Sequence, residues 1–388
     1  MFYSHNWRIM VFFNWFIILK LKGDGTMKMN KKMILSLVVM CLLVFSLQVA
    51  FAAENPEKNL PNVKILATGG TIAGAGVTST TTVGYTAAVA PVEKLISNVP
   101  ELARIAHVTG EQTAQIASES MTMDIWLQLA KRVNVLLAQD DVDGIVITHG
   151  TDTLEETAYF LDLVVKSDKP VVLVGSMRPG TAMSADGPLN LYRAVILAGS
   201  KDAVGRGVMV MLNDTIHSGR EVTKTITDRV DTFQSPVSGV LGFFSGDRPA
   251  FYRKSIRKNT TASEFDVTNL TTLPRVDIVY HYAGNGGTMI DAATNAGAQG
   301  LVHAGTGNGS IGKAEYPAVE NALKNGVVIV RSARVGSGIV SRNGEANDDK
   351  YGFIAGDNLN PQKARILLML ALTKTTDVKD IQRMFWEY

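Results

Sequence analysis

Seven short apolar runs rich in valine and isoleucine recur along the chain, at 63–67, 145–149, 171–174, 208–212, 276–280, 301–304 and 327–331, and most lead into Gly, Ser or Thr. Near-continuous runs of this length predict strands covered on both faces, hence a largely parallel sheet. Helical patterns lie between them. The stretch 156–165 (ETAYFLDLVV) predicts one helix. A second opens at Asp186-Gly187-Pro188, with Asp186 placed to cap it and Pro188 in its first turn. The apolar stretch 364–373 predicts a buried third. The alternation predicts an α/β fold of two domains: a larger N-terminal, parallel-rich sheet flanked by helices and a smaller C-terminal α/β domain. Regularity fades between Arg248 and Leu273, where basic, Thr and Ser residues cluster. The domains are therefore expected at 60–247 and 273–388, joined by a linker at 248–272. Thr78–Thr82, flanked by Gly74, Gly76 and Gly84, is expected to be a mobile loop.

The first fifty residues follow other rules. Lys28, Lys31 and Lys32 precede an uncharged apolar run, Met33–Leu47, and Ala50-Phe51-Ala52 follows it. A basic start, a short apolar stretch and small residues at −3 and −1 predict a cleaved signal peptide. The alternative, a retained anchor, needs ~20 apolar residues, and the run is shorter. The product is expected in the periplasm or outside the cell, with no stable membrane insertion after cleavage. A second apolar patch, Ile9–Leu19, does not fit a leader; translation beginning at Met27 or Met29 would account for it. Residues 1–52, a dubious upstream extension plus signal peptide, are set aside from the fold.

That exclusion changes the charge. The chain is formally +2, but residues 1–52 hold six of its 38 Lys/Arg and one of its 36 Asp/Glu, so the remainder is near −3. No nucleic-acid footprint is left. The single cysteine, Cys41, falls in the leader, which excludes disulfides, zinc–thiolate sites and cysteine nucleophiles from the mature chain. Met40 is too large for the residue that precedes an acylated cysteine.

Two strand ends carry unusual clusters. Thr68-Gly69-Gly70-Thr71-Ile72-Ala73-Gly74 follows the first run, and Thr148-His149-Gly150-Thr151-Asp152-Thr153 follows the second. Ligands of open α/β sheets bind beyond the carboxyl ends of strands, so neighbouring strands would bring both clusters to one crevice. Gly69 and Gly70 permit positive φ and close backbone approach. Thr71 then presents a hydroxyl, which needs a base or a lowered pKa to act as a nucleophile. Thr153 and Glu156 have capping-box spacing, so a helix is expected near 153 with free N–H groups beside Thr151 and Asp152. Either cluster alone could be a tight turn closing a βα unit; two on one sheet edge point to a site. The glycine pattern lacks dinucleotide and P-loop spacing. The six histidines show no metal-ligand spacing, His149 reads as part of its turn, and neither metal nor cofactor is expected.

ATGGTIAG at 67–74 and THGTDT at 148–153 resemble the two signature motifs of bacterial type II L-asparaginases and glutaminase-asparaginases. The resemblance runs from about Leu60 to Tyr388 and includes MRPGTAMSADGPLN at 177–190, Val222–Thr225 and LNPQKARILLMLALTKT at 359–375. It implies hydrolysis of L-asparagine to L-aspartate and ammonia, and of L-glutamine to L-glutamate, through a threonine acyl-enzyme. Thr71 matches the nucleophile and Tyr85 the tyrosine that assists it. Thr151, Lys224 and Asp152 match a second threonine–lysine–aspartate group, in which the ammonium would lower the hydroxyl pKa or steady a water. Ser118 and Glu119 match the pair that grips the α-carboxylate and α-amine, and Asp152 the carboxylate that meets the α-ammonium. Glu345 matches an acidic residue supplied by a neighbouring subunit, which implies a homotetramer with active sites at dimer interfaces.

Two positions depart from the pattern. Glu119 stands where many asparaginases carry glutamine, which implies appreciable glutamine turnover. The family asparagine after Tyr-x-Tyr falls at Gly284, with Asn285 next, so that contact stays open. The first proton acceptor also stays open, between Tyr85 with Glu345 and Thr151 with Lys224. Rival readings are the asparaginase-like subunit of a tRNA-dependent amidotransferase and a non-catalytic periplasmic amino-acid-binding protein.

Overall fold

The computed structural model describes residues 31–32 and 60–388. Of the leader, only Lys31 and Lys32 are described, as exposed helical residues; the expected signal peptide otherwise lies outside the described residues. Strands β1 (Asn62–Gly69), β2 (His107–Ile116), β3 (Gly144–Thr148), β4 (Val171–Val174), β5 (Val208–Leu212) and β6 (Thr215–Ser218) come first. A two-strand ribbon follows, β7 (Thr223–Lys224) with β8 (Phe233–Gln234), then β9 (Gly242–Ser245) and β10 (Arg248–Phe251). The C-terminal part holds β11 (Val276–Tyr280), β12 (Gly300–Gly305), β13 (Val328–Ala333) and β14 (Ile354–Ala355). The helices are α1 (Val92–Ser97), α2 (Met123–Leu137), α3 (Leu154–Val164), α4 (Gly187–Ala198), α5 (Thr288–Asn295), α6 (Tyr316–Lys324), α7 (Asp348–Tyr351), α8 (Pro361–Leu372) and α9 (Val378–Glu387).

The large sheet runs β10-β9-β6-β5-β4-β3-β1-β2, parallel from β5 through β2, with antiparallel β6, β9 and β10 closing one edge. The smaller sheet, β11-β12-β13-β14, is wholly parallel. Period-2 alternation sorts the side chains. Val63, Ile65, Ala67, Val146 and Val172 face the layer of α1 and α4. Leu66, Ile145, Ile147 and Leu173 face α2, α3 and α8. That second layer continues without a break to Val276, Val302 and Val330 of the small sheet, so one apolar cluster joins both sheets. The small sheet's other face, with Val279, Leu301 and Ile329, lies under α5 and α6. Burying each such side chain is worth about 1.5–3 kcal/mol, which fixes which face of every strand is inward.

The fold differs from the sequence expectation at three places. The stretch expected as a linker from residue 248 begins as edge strand β10, and Phe265, Val267 and Leu273 further along it are buried in the shared core. Strand β2 carries polar residues on its exposed edge, so its sequence, HVTGEQTAQI, lacks the apolar run of an interior strand. Neither the Thr153 capping box nor the Asp186 cap forms its side-chain cap bond. Thr153 is the N-cap of α3 without a side-chain cap bond, because its hydroxyl donates to the Ser118 carbonyl at 2.8 Å. Asp186 precedes α4 but accepts from the Met177 and Arg178 amides, both at 2.9 Å.

Candidate active site

β1 pairs in parallel with β3, Val63 opposite Gly144 through Ala67 opposite Thr148, so the two clusters leave the sheet side by side. The Thr68 hydroxyl donates to the Thr148 carbonyl at 2.9 Å. Beyond it the turns touch back to back. A Cβ on Gly70 would lie 2.2 Å from Gly150 Cα, and one on Gly150 would lie 2.6 Å from Ser118 Oγ. Glycine at 70 and 150 is thus a packing requirement, and Gly70 also sits at φ 79°.

Thr71 opens a short 3-10 turn, Thr71–Ala73, and is buried. Its hydroxyl lies 2.7 Å from that of Tyr85. The loop after Gly74 folds back to place Tyr85 there: Ala75 and Thr86 exchange amide–carbonyl bonds at 2.9 and 3.0 Å, and Ala88 donates to the Gly70 carbonyl at 3.0 Å. The segment at 180–183 props this loop, with Gly180 donating to the Gly74 carbonyl at 3.0 Å and the Thr181 hydroxyl accepting from Gly76 at 2.8 Å.

Across the cavity, the Lys224 ammonium donates to Thr151 Oγ1 at 3.0 Å and to Asp152 Oδ1 at 2.6 Å. Lys224 arrives on the β7–β8 ribbon, opposite Phe233. Because the ammonium occupies one lone pair of the Thr151 oxygen, the hydroxyl proton must point elsewhere, and the adjacent positive charge favours its loss. The Asp152 amide donates to Ser118 Oγ at 3.1 Å, which leaves the Ser118 hydroxyl hydrogen able to donate to a ligand.

A buried chain braces the second turn. Trp126 Nε1 donates to Thr157 Oγ1 at 2.8 Å, Thr157 lies 2.9 Å from His149 Nε2, and His149 Nδ1 lies 2.7 Å from the Gly150 carbonyl. A carbonyl only accepts, so Nδ1 carries the hydrogen and Nε2 accepts from Thr157. Burial pushes the imidazole pKa down to about 4, so the ring is neutral at pH 7. His149 therefore belongs to the turn. Nearby, burial raises the Glu156 carboxyl to about 7.

Thr71, Tyr85, Ser118, Glu119, Thr151, Asp152 and Lys224 all line one cavity of about 550 Å³. Glu345 does not join them. It lies exposed in the C-terminal half and accepts from Ser310 Oγ at 3.3 Å. Asn285 is buried with both ends of its amide engaged, Nδ2 donating to Glu315 at 2.7 Å and Oδ1 accepting from Gly287 at 3.0 Å. Met177, Thr227 and Asp228 line the cavity as well, and no sequence pattern marks them. Thr227 and Asp228 follow Lys224 closely enough that the ribbon carrying it delivers them too.

Both halves of the chain are similar to known proteins. Residues 62–257 match the family model "Asparaginase, N-terminal", and residues 275–385 match "Glutaminase/Asparaginase C-terminal domain". A "Glutaminase-asparaginase" of Pseudomonas fluorescens biotype A is 53% identical over 348 residues, covering 89% of this chain and 96% of that protein. An "L-asparaginase 2" of Bacillus subtilis (strain 168) is 54% identical over 341 residues, covering 88% and 90%. A Haemophilus influenzae relative, 48% identical over 354 residues and covering 91% and 99%, is named "Probable L-asparaginase periplasmic". Among solved structures, the "Probable Cytoplasmic L-asparaginase from Campylobacter jejuni" superposes with a TM-score of 0.82 at 50% identity, covering 84% of this chain and 100% of that one.

Proposed function

The chain belongs to the asparaginase family, and we propose that it hydrolyses the side-chain amides of L-asparagine and L-glutamine through an acyl-enzyme on Thr71. The observation that carries this reading is the 2.7 Å Thr71–Tyr85 contact facing the Thr151–Lys224–Asp152 group across one cavity. Thr71 Oγ1 attacks the amide carbon and forms the C–O bond. The C–N bond then breaks, and the nitrogen leaves with the proton as ammonia. Water, beside Thr151 and Lys224, cleaves the ester to aspartate or glutamate. In this reading Tyr85, 2.7 Å from the Thr71 hydroxyl, takes the threonine proton first. The Gly70 amide is engaged by the Ile116 carbonyl and the Asp152 amide by Ser118, so in this reading the oxyanion is held by the neighbouring Thr71 and Thr151 amides. The Ser118 hydroxyl meets the substrate α-carboxylate, while Asp152 and Glu119 meet the α-ammonium.

Glu345 acts from a neighbouring subunit in this reading, and the enzyme is a tetramer whose sites are completed across dimer interfaces. The leader and the relative named as periplasmic support export, checked by N-terminal sequencing of the protein from osmotic-shock fluid.

Thr71→Ala is expected to lower ammonia release by on the order of 10⁶, as losing a covalent nucleophile does, with no acyl adduct in rapid-quench intact mass and an unchanged circular-dichroism spectrum. A folded Thr71→Ala protein that still turns over asparagine normally ends the proposal. A requirement for tRNA would favour the amidotransferase subunit, and tight asparagine binding without ammonia a binding protein.

A further inference from the structure

We propose that His281, His303 and Glu315 form a binding site for a divalent transition metal, of which zinc suits the donors best. These residues are far apart in sequence, yet one potential ligand atom from each lies within 4.8 Å of the other two. His281 follows β11, His303 sits on β12, and Glu315 ends the 3-10 turn Lys313–Glu315 that leads into α6. Glu315 is fully buried, His303 nearly so, and the His281 side chain keeps 15% exposure. His281 Nδ1 lies 2.7 Å from Glu315 Oε2, and His303 Nε2 lies 3.2 and 3.3 Å from the two carboxylate oxygens.

The carboxylate is oriented by other groups. The Asn285 side-chain amide donates to Oε1 at 2.7 Å, and the Gly312 amide donates to Oε2 at 2.8 Å. Each oxygen thus takes one fixed bond and keeps a lone pair toward the imidazoles, which is how outer groups steady a metal-binding carboxylate. Gly312 makes the room: a Cβ there would come within 2.7 Å of His281 Cε1.

Two imidazoles and a carboxylate suit zinc over magnesium or calcium. Tetrahedral zinc with bonds of about 2.0–2.1 Å needs its ligand atoms about 3.3 Å apart. The Glu315–His303 pair already meets that spacing, the Glu315–His281 pair would open by about 0.6 Å, and the two imidazole nitrogens, within 4.8 Å of each other, would settle to it at the partly exposed edge. Both rings would turn their ring hydrogen to the far nitrogen, and water would fill the fourth position beside His281. None of the three residues lines the Thr71 cavity. The ion would staple β11, β12 and the start of α6, so its binding free energy would add to the stability of the small sheet.

The test uses full-length, tag-free protein, stripped with chelator and re-exposed to zinc or cobalt. About one zinc per chain should survive gel filtration, with a rise in melting temperature. Cobalt should give the intense visible bands of a tetrahedral site without thiolate absorption. His281→Gln keeps a donor to Glu315 but removes the imidazole; it should lose the zinc and the thermal shift while hydrolysing asparagine as the metal-free parent does. Wild-type protein that retains no zinc, or a variant that retains as much as the parent, overturns the proposal. Should the variant fail to fold, the cobalt spectrum of the wild type decides: absent bands refute the site and present bands support it.

Discussion

Gly70 and Gly239 share nearly the same backbone angle, φ 79° and 77°, but not the same surroundings. A Cβ at Gly239 meets nothing within 4 Å, while one at Gly70 collides with the Gly150 backbone. Gly239→Ala should therefore cost only left-handed strain, about 1–2 kcal/mol, with activity kept. Gly70→Ala must separate the two strand-end turns and should cost more than about 3 kcal/mol, together with most of the asparagine hydrolysis. Urea midpoints and ammonia release on both variants check the contrast; equal losses would mean the back-to-back contact does not matter. The sequence shows both glycines, but only the fold tells them apart. Glu119 makes the opposite kind of prediction, since it is exposed and lines the cavity. Glu119→Gln should leave stability within about 0.5 kcal/mol, as surface changes do. It should also lower the glutamine-to-asparagine ratio of kcat/KM. A ratio that does not move separates Glu119 from substrate choice.

Among the elements, α8 ties the site to the rest of the molecule. It packs on α3 and on the small sheet, and its Lys363 is buried. The Lys363 ammonium donates to the carbonyls of Gly219 at 3.1 Å, Arg220 at 2.8 Å and Val222. Those carbonyls belong to the turn that delivers Thr223 and Lys224. Lys363→Met would leave several buried acceptors without a donor, each costing about 1–3 kcal/mol, and would let the ribbon carrying Lys224 drift. We expect a urea midpoint lower by the equivalent of 3 kcal/mol or more (about one to three such groups) and a fall in kcat larger than in KM. A stable, fully active variant would assign the hold on this turn to other contacts. Nothing in the helical pattern of 364–373 marks Lys363 apart from any surface lysine. Similarly, β2 and β10 escape a sequence reading because edge strands need not be apolar, whereas interior strands must be.

Across the whole molecule, buried titratable groups oppose one another. Burial pushes His149 to about 4 and His217 to about 3, so below pH 6.5 the unfolded chain binds two protons that the native one refuses, and stability falls with acid. Burial raises Glu156 and Asp162 to about 7, so between their unfolded values and pH 7 the native chain holds two protons that the unfolded one has lost, and stability rises with acid. Over about pH 4.5 to 6.5 the two effects cancel, and the stability profile should be nearly flat. Urea midpoints at pH 5.0, 5.7 and 6.4 that differ by more than the equivalent of about 2 kcal/mol would contradict this pairing. Assembly gives a second test at this scale. If Glu345 completes a neighbour's site, mixing unfolded Thr71→Ala and Glu345→Ala chains and refolding them together should restore activity that neither has alone. No recovery in the co-refolded protein would keep Glu345 out of the reaction.

The amino-acid order by itself determined the interior strands, the helices at 154–164, 187–198 and 361–372, and the hydroxyl-rich turns, because each rests on local periodicity or on glycine and threonine at a strand end. Sequence resemblance pointed to Tyr85, Ser118, Glu119 and Lys224, though no periodicity marks them. Only the tertiary structure brought those side chains to Thr71, turned Thr153 and Asp186 from caps into tethers, and gathered His281, His303 and Glu315 from three separate segments. The physical reason is range. Strand and helix patterns are set by neighbours a few residues apart, whereas a site needs contacts between residues 14 to 73 positions apart, as in Thr71–Tyr85 and Thr151–Lys224, which exist only once the sheet has aligned the turns that carry them.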